Sequence, residues 1–198
     1  MINYKNPAIE VSPSAEAVDL AIQDIQNKLG ELPWLEKIFG RCVPQRGLYT
    51  EDEARMYGRK DYIYPEVYNN REPMVLMVND NLKSYCFFHA KDPLEFNDYE
   101  VADLQHQMVT QPMDIIFWGN LEKVNPALSY NFSEQLRREV LLKLKKTAFV
   151  PKKSYMSFDK VFDIFTITET FRPYLKPPYF GFRMSGELSF DYFYDNCI

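Results

Sequence analysis

From Phe180 to Tyr194 the chain alternates. The even positions Phe180, Phe182, Met184, Leu188, Phe190, Tyr192 and Tyr194 are apolar, with Gly186 among them, while Gly181, Arg183, Ser185, Glu187, Ser189 and Asp191 between them are polar or glycine and Phe193 ends the odd series. Period 2 is the mark of a strand with one apolar and one polar face. Residues 180–194 at ~3.3 Å each would span roughly 50 Å, well beyond a typical strand. A hairpin turning at Ser185-Gly186 would set Met184 opposite Glu187 on one face. The unbroken phase instead predicts one continuous strand with Gly186 at a bend or bulge, projecting past a small domain and offering surface to something else.

Helical spacing appears upstream. Ser12-Pro13 supplies an N-cap and a first helical residue, Val18, Ile22, Ile25 and Leu29 form one face, and Gly30 is a natural stop. Leu32-Pro33-Trp34-Leu35 leads into a short apolar segment near Gly40, with Trp34, Ile38 and Phe39 in the core. Residues 41–70 read as irregular apart from a helix over Glu51–Tyr57, opened by a Thr50/Glu53 capping box and closed by Gly58. The Tyr-rich stretch Tyr57–Tyr68 reads as a long loop, either an interaction arm or a loop packed down by its own tyrosines.

Met74–Val78 and Tyr85–Phe88 are continuous apolar runs joined by Asn79-Asp80-Asn81-Leu82-Lys83-Ser84, which predicts a hairpin covered on both faces. Lys91–Leu104 is acidic and reads as a solvated loop. In 99–111, Val101, Leu104 and Met108 fit a helix, or else an extended lead-in. Asp114–Leu121 is the most hydrophobic strand candidate and belongs at the sheet centre. Asn131 and Glu134 open a helix whose stripe is Leu136, Val140 and Leu144, with Arg137, Arg138, Lys143, Lys145 and Lys146 off it. Ser157–Phe162 begins a last short helix. The order predicts an α+β fold, a mostly antiparallel sheet with flanking helices and a long C-terminal strand. It forms a single domain over residues 1–198, in which an N-terminal helical segment (residues 1–58) packs on a sheet-and-helix core (residues 59–198).

Composition narrows the function classes. Aromatic residues make up 16% of the chain, with 14 Tyr and 15 Phe, which suits either an aromatic sheet core or half-exposed interfaces. A net charge of −5 and the absence of a basic run make the chain a poor grip for nucleic acid. Neither a signal-peptide stretch in Met1–Pro7 nor an apolar run long enough for a membrane span is present, and no membrane partner is expected. Cys42, Cys86 and Cys197 are far apart and odd in number, which fits free thiols in a reducing compartment.

Chemistry is hard to find. The seven glycines make neither a dinucleotide nor a phosphate loop, and no GxSxG elbow occurs. Cys86 and His89, three apart in a strand, point to opposite faces and cannot share a metal. Asp114, Glu122 and Lys123 superficially suggest a metal-dependent nuclease, but Glu122 and Lys123 are neighbours that would face opposite ways in a strand. No catalytic residue, metal or cofactor is therefore assigned.

Ile115–Pro126, then the helix 131–146, then the strand opening Pro178-Tyr179-Phe180-Gly181-Phe182-Arg183 resemble tailed-bacteriophage head-to-tail connector and tail-completion (tail-terminator-like) proteins. The style is that of phages infecting Bacteroidota, the crAss-like ones among them, and Tyr64-Pro65, Asn79-Asp80-Asn81 and Phe87-Phe88 add to it. The resemblance covers roughly residues 60–194 and rests on packing motifs. It implies a non-enzymatic virion protein of the neck or tail, assembled in the host cytoplasm. Such a subunit would form a closed six- or twelve-fold ring with its own copies, between portal and tail proteins, and DNA would pass its lumen without specific binding. Tyr57, Tyr62, Tyr64 and Tyr68 in the loop, with Arg183, Glu187, Asp191 and Tyr194 on the strand, are the candidate contacts. A small metal-dependent nuclease and a soluble assembly chaperone or adaptor are the alternatives.

Overall fold

The computed structural model describes residues 7–12, 17–58, 60–76, 78, 81–96, 107–166 and 169–192. In chain order these form β1 (Ala8–Ile9), α1 (Ala17–Leu29), β2 (Lys37–Arg41), β3 (Val43–Leu48), α2 (Glu51–Tyr57), β4 (Asp61–Asn69), β5 (Glu72–Val75), β6 (Ser84–Ala90) and β7 (Glu95–Phe96). There follow β8 (Gln107–Asn120), α3 (Leu121–Val124), α4 (Ser133–Leu144), β9 (Phe149–Tyr155), α5 (Phe158–Val161), a 3-10 turn (Glu169–Leu175) and β10 (Tyr179–Tyr192).

The main sheet runs β1-β2-β6-β8-β10-β9, with β7 also on β8. It is antiparallel except where β2 lies parallel to β1 and β6. The fold is α+β with flanking helices and a long C-terminal strand, as the patterning predicts. β10 is one continuous strand, paired residue for residue with β8 from Tyr179↔Asn120 to Tyr192↔Gln107. It does not jut from the domain. It lies inside the sheet, and Phe180, Phe182, Met184, Leu188 and Phe190 are all buried.

The irregularity expected at Gly186 is there, with the extra residue on the neighbouring strand. Ser185 pairs with Lys153 and Gly186 with Pro151, so Lys152 bulges out of β9. A Cβ on Gly186 would lie 2.2 Å from the Val150 carbonyl oxygen, so only glycine lets the two backbones approach this closely.

Helices cover one face of the main sheet and part of the other. On one, the α1 stripe Val18, Ile22, Ile25 and Leu29 and the α4 stripe Leu136, Val140 and Leu144 meet the even residues of β10. On the other, Val161, Phe162 and Phe165 pack with Phe39, Tyr85, Phe87, Ile116 and Trp118. No helix among the described residues is long and apolar enough to cross a membrane.

Three expectations need correction. The stretch 41–70 is not irregular: β3 and β4 lie in it and, with β5, make a second, three-stranded antiparallel sheet. The run at 74–78 does not form a hairpin with 85–88, because β5 pairs β4 in the small sheet while β6 joins β2 and β8 in the main one. The N-terminal 58 residues are not only helical, since they give β1 and β2 to one sheet and β3 to the other. The helix or lead-in at 99–111 is β8 from Gln107 onward, and 97–106 lie outside the described residues.

Candidate functional site

The small sheet carries the tyrosines. Asn70 and Arg71 both take positive φ (52° and 68°), the backbone of a two-residue turn whose twist suits a hairpin, and they join β4 to β5. Val67, which points inward, is buried in the second core. Residues of the opposite parity, Tyr62, Tyr64, Glu66 and Tyr68, therefore share the outer face. Val43 and Val75 flank Glu66 in register and are exposed there. Ring centroids run Tyr57–Tyr49 5.1 Å, Tyr49–Tyr62 4.9 Å and Tyr62–Tyr64 5.6 Å, one continuous aromatic cluster. Tyr57, Tyr62 and Tyr64 are thus brought together, on a strand and a helix rather than in a loop.

This hairpin overhangs the body. Ile63 is tied down by Thr166, whose N–H donates to the Ile63 carbonyl at 2.8 Å and whose hydroxyl accepts from the Ile63 N–H at 3.0 Å. Beyond that point Arg46 and Leu48 lie on the inward parity, Arg46 ion-paired with Asp61 and Leu48 79% exposed. α2 sits at this end. Its ends are built as the sequence predicts: Thr50 and Glu53 cap each other reciprocally, and Gly58 closes it in the left-handed conformation at φ 66°. Yet no residue of α2 is buried, and Met56 is 73% exposed. A helix of seven residues has too few hydrogen bonds to be stable alone, and this one leans on the arm through the Tyr57 ring on Tyr49 without burying any residue fully.

The candidate contacts on β10 divide. Glu187 is half-buried and pairs with Lys152 at 3.0 Å, and Asp191 is exposed. They belong to the main sheet, not to the tyrosine arm. Arg183, expected on the wet face, is 4% exposed because the α5 segment closes over that part of the sheet. Tyr194 lies outside the described residues.

Arg183 instead belongs to a buried charge cluster that the sequence did not reveal. Its guanidinium lies 3.4 Å from Asp114 and 3.1 Å from Asp163, and sits over the Tyr155 ring at 4.6 Å. Asp114, 1% exposed, also takes Lys91 Nζ at 2.6 Å and the Ser185 hydroxyl. His89 stands opposite Asp114 in the ladder and edge-on to Phe165, with its Nδ1 buried and unbonded. Burial drives the His89 pKa below its ordinary value, and the Asp114 charge opposes that only in part. The acids and bases here neutralise one another inside a packed sheet. Asp114 faces this cluster, while Glu122 and Lys123 lie on α3, past the end of its strand.

Burial raises the thiols of Cys42 and Cys86 far above the ordinary cysteine range, so neither is poised as a nucleophile. Cys86 faces the helix-covered core and His89 the opposite one, as their spacing predicts. Among the described residues no group of three or more His, Cys, Asp and Glu stands in a metal-binding arrangement.

A hollow of about 530 Å³ opens between α1 and α4, floored by Leu32, Pro33 and Leu142 and rimmed by Lys28, Lys143 and Lys146. Glu31 reaches Lys143 at 2.7 Å and Lys28 at 3.8 Å, and the Trp34 indole donates to Glu139 at 3.1 Å. A second hollow, of about 700 Å³, continues past Glu139 and Leu142 to Arg138.

No protein-family model matches the chain, and no solved structure matches it. It is 26% identical over 126 residues to an enolase of Halorubrum lacusprofundi, a stretch covering 62% of this chain and 29% of the enolase. An enolase of Haloarcula marismortui is 26% identical over 127 residues, with the same coverage of each chain. The chain thus spans 29% of the length of the curated relatives it matches.

Proposed function

We propose that this chain is a non-enzymatic structural protein of a virion, a ring-forming subunit of the head-to-tail connector or tail-completion complex. Its neighbours are portal or neck proteins on one side and tail proteins on the other, and DNA passes through the lumen without specific binding. One observation carries the reading: the arm of β3, α2 and β4 overhangs the body, buries none of α2, and holds Leu48 and Met56 almost wholly in water. Single exposed apolar residues are ordinary, but a helix with no fully buried residue that displays them beside an aromatic cluster suits an element that a partner covers.

The sheet edges say how such a partner would bind. β1 is two residues long, and β3, β5 and β9 carry Pro44, Pro73 and Pro151. Short and proline-bearing edges resist strand addition, so association would run through side chains. The resemblance of Ile115–Pro126, the following helix and the opening of β10 to connector and tail-completion proteins supports the choice of virion. Glu187 and Asp191 are further candidate contacts.

The test is the mass of the purified protein by light scattering over a concentration series, alone and with portal or tail proteins. A discrete six- or twelve-fold species is expected. A monomer that joins none of them would overturn the reading in favour of a chaperone, and enolase activity or magnesium-dependent DNA cleavage in the pure protein would overturn it in favour of an enzyme.

A further inference from the structure

Resting on that reading, we infer that the tip of the arm docks between α1 and α4 of a second copy of this chain. Charge matches on both sides. Glu53 is taken up by the capping box, while among the described residues Glu51 and Asp52 form no ion pair. On α4 and just past its end, Arg138 and Lys146 form no ion pair among the described residues, whereas Lys143 is held by Glu31. Two carboxylates outside any ion pair would meet Arg138 and Lys146, the latter already within the field of Glu31.

Apolar surface completes the fit. Leu48 and Met56 stand out from the arm, and Leu142, exposed on α4, forms the ridge between the two hollows, beside Leu32 and Pro33. A hollow of about 530 Å³ is in the range that engulfs a ligand group, here one or two side chains.

The arm and the groove are different surfaces of one subunit. The contact is therefore heterologous, and repeating it gives a ring if the rotation closes. Burial of Met56 and Leu48 against Leu142 would supply the apolar centre, and the four charges would fix the register at the rim.

The experiment is a charge swap read by light scattering and by disulfide trapping. Glu51→Lys with Asp52→Lys, and separately Arg138→Glu with Lys146→Glu, should each raise the concentration needed for assembly at least tenfold. All the altered residues are on the surface, and circular dichroism verifies the fold of each variant. Combining the four substitutions should restore assembly. In a Cys197→Ser background, a mixture of Met56→Cys and Leu142→Cys chains should give a mixed disulfide dimer under mild oxidation that neither chain gives alone. If the wild-type protein assembles and both reversals leave it unchanged, or no mixed disulfide forms, the docking is wrong and the ring reading stands. A wild-type protein that stays monomeric with every partner overturns both.

Discussion

Replacing Arg183 by methionine removes one charge from the middle of the main sheet and keeps most of the side chain's volume. Its guanidinium lies 3.4 Å from Asp114 and 3.1 Å from Asp163. At 3.4 Å and an effective dielectric of about 20, each such attraction is worth about 5 kcal/mol. Several kcal/mol of desolvation per ion offsets it, so the intact cluster contributes little net stability. The single substitution is different, because Asp114 stays behind at 1% exposure with its strongest fork-shaped donor gone. Stranding a buried charge costs about 3–5 kcal/mol. Lys91 remains at 2.6 Å and Ser185 still donates, which puts the expected loss at the lower end, about 3 kcal/mol. For a chain of this size that is a fall in Tm of roughly 6–12 °C. Differential scanning calorimetry with urea unfolding measures it. The double variant Arg183→Met/Asp114→Leu should be no less stable than Arg183→Met alone, since Lys91 and Asp163 are both partly exposed and can turn to water. An Arg183→Met protein within about 1 kcal/mol of wild type, or a double variant whose losses simply add, would refute the claim that these charges are coupled.

Gly186→Ala forces a Cβ to 2.2 Å from the Val150 carbonyl oxygen and 2.9 Å from the Pro151 Cα, backbone atoms that cannot swing aside, and should cost about 1–3 kcal/mol in urea unfolding; an unchanged midpoint would show that β9 does not press on β10 there. His89 is held neutral by burial, its folded pKa below the ordinary 6.5, so the unfolded chain binds the extra proton. Its contribution is complete above pH 6.5 and is lost as the pH falls below that value. Unfolding curves at pH 7.5 and 5.5 should show wild type weakening by up to about 1.4 kcal/mol per pH unit more than His89→Gln, and equal slopes would sink the assignment.

What the sequence revealed follows from what is local. The strand β10 is legible because its partner β8 is long enough to pair all of it, so one phase runs unbroken. The capping box at Thr50 and Glu53 involves residues three apart and needs no tertiary context. β9 was missed because Pro151, Lys152 and Lys153 are edge-protecting residues, and what blocks an edge also hides a strand. β4 was missed because Tyr62, Ile63, Tyr64 and Pro65 alternate in direction but not in polarity, the tyrosines packing on one another outside and Val67 on the body inside. The supposed hairpin at 74–88 has good turn residues between two runs that belong to different sheets, and no local signal records which distant strand a run pairs with. Arg183 has the right parity for the outer face; that α5 would cover the face at that point is non-local.

On the proposed ring reading, the placement of the arm bears on how assembly would be controlled. The main sheet is largely complete in itself: helices cover one face and part of the other, its two ends are a two-residue strand and a bulged, proline-bearing one, and its buried charges are matched inside. Such a body has little reason to aggregate. The surface proposed to take a partner is concentrated on one overhanging hairpin whose helix is capped and touches the arm through Tyr57 but buries no residue fully. A helix in that condition has a small free-energy gap to its frayed form, and a docking groove would close that gap by adding the buried apolar contacts it lacks. Some of the docking energy would then go into ordering α2, which keeps each contact weak. In a closed ring every subunit is held by two such contacts, and opening the ring requires both to break. If the proposed ring forms, weak single contacts with a strong closed ring would favour complete particles over partial ones, as a component that must fit a fixed symmetry requires.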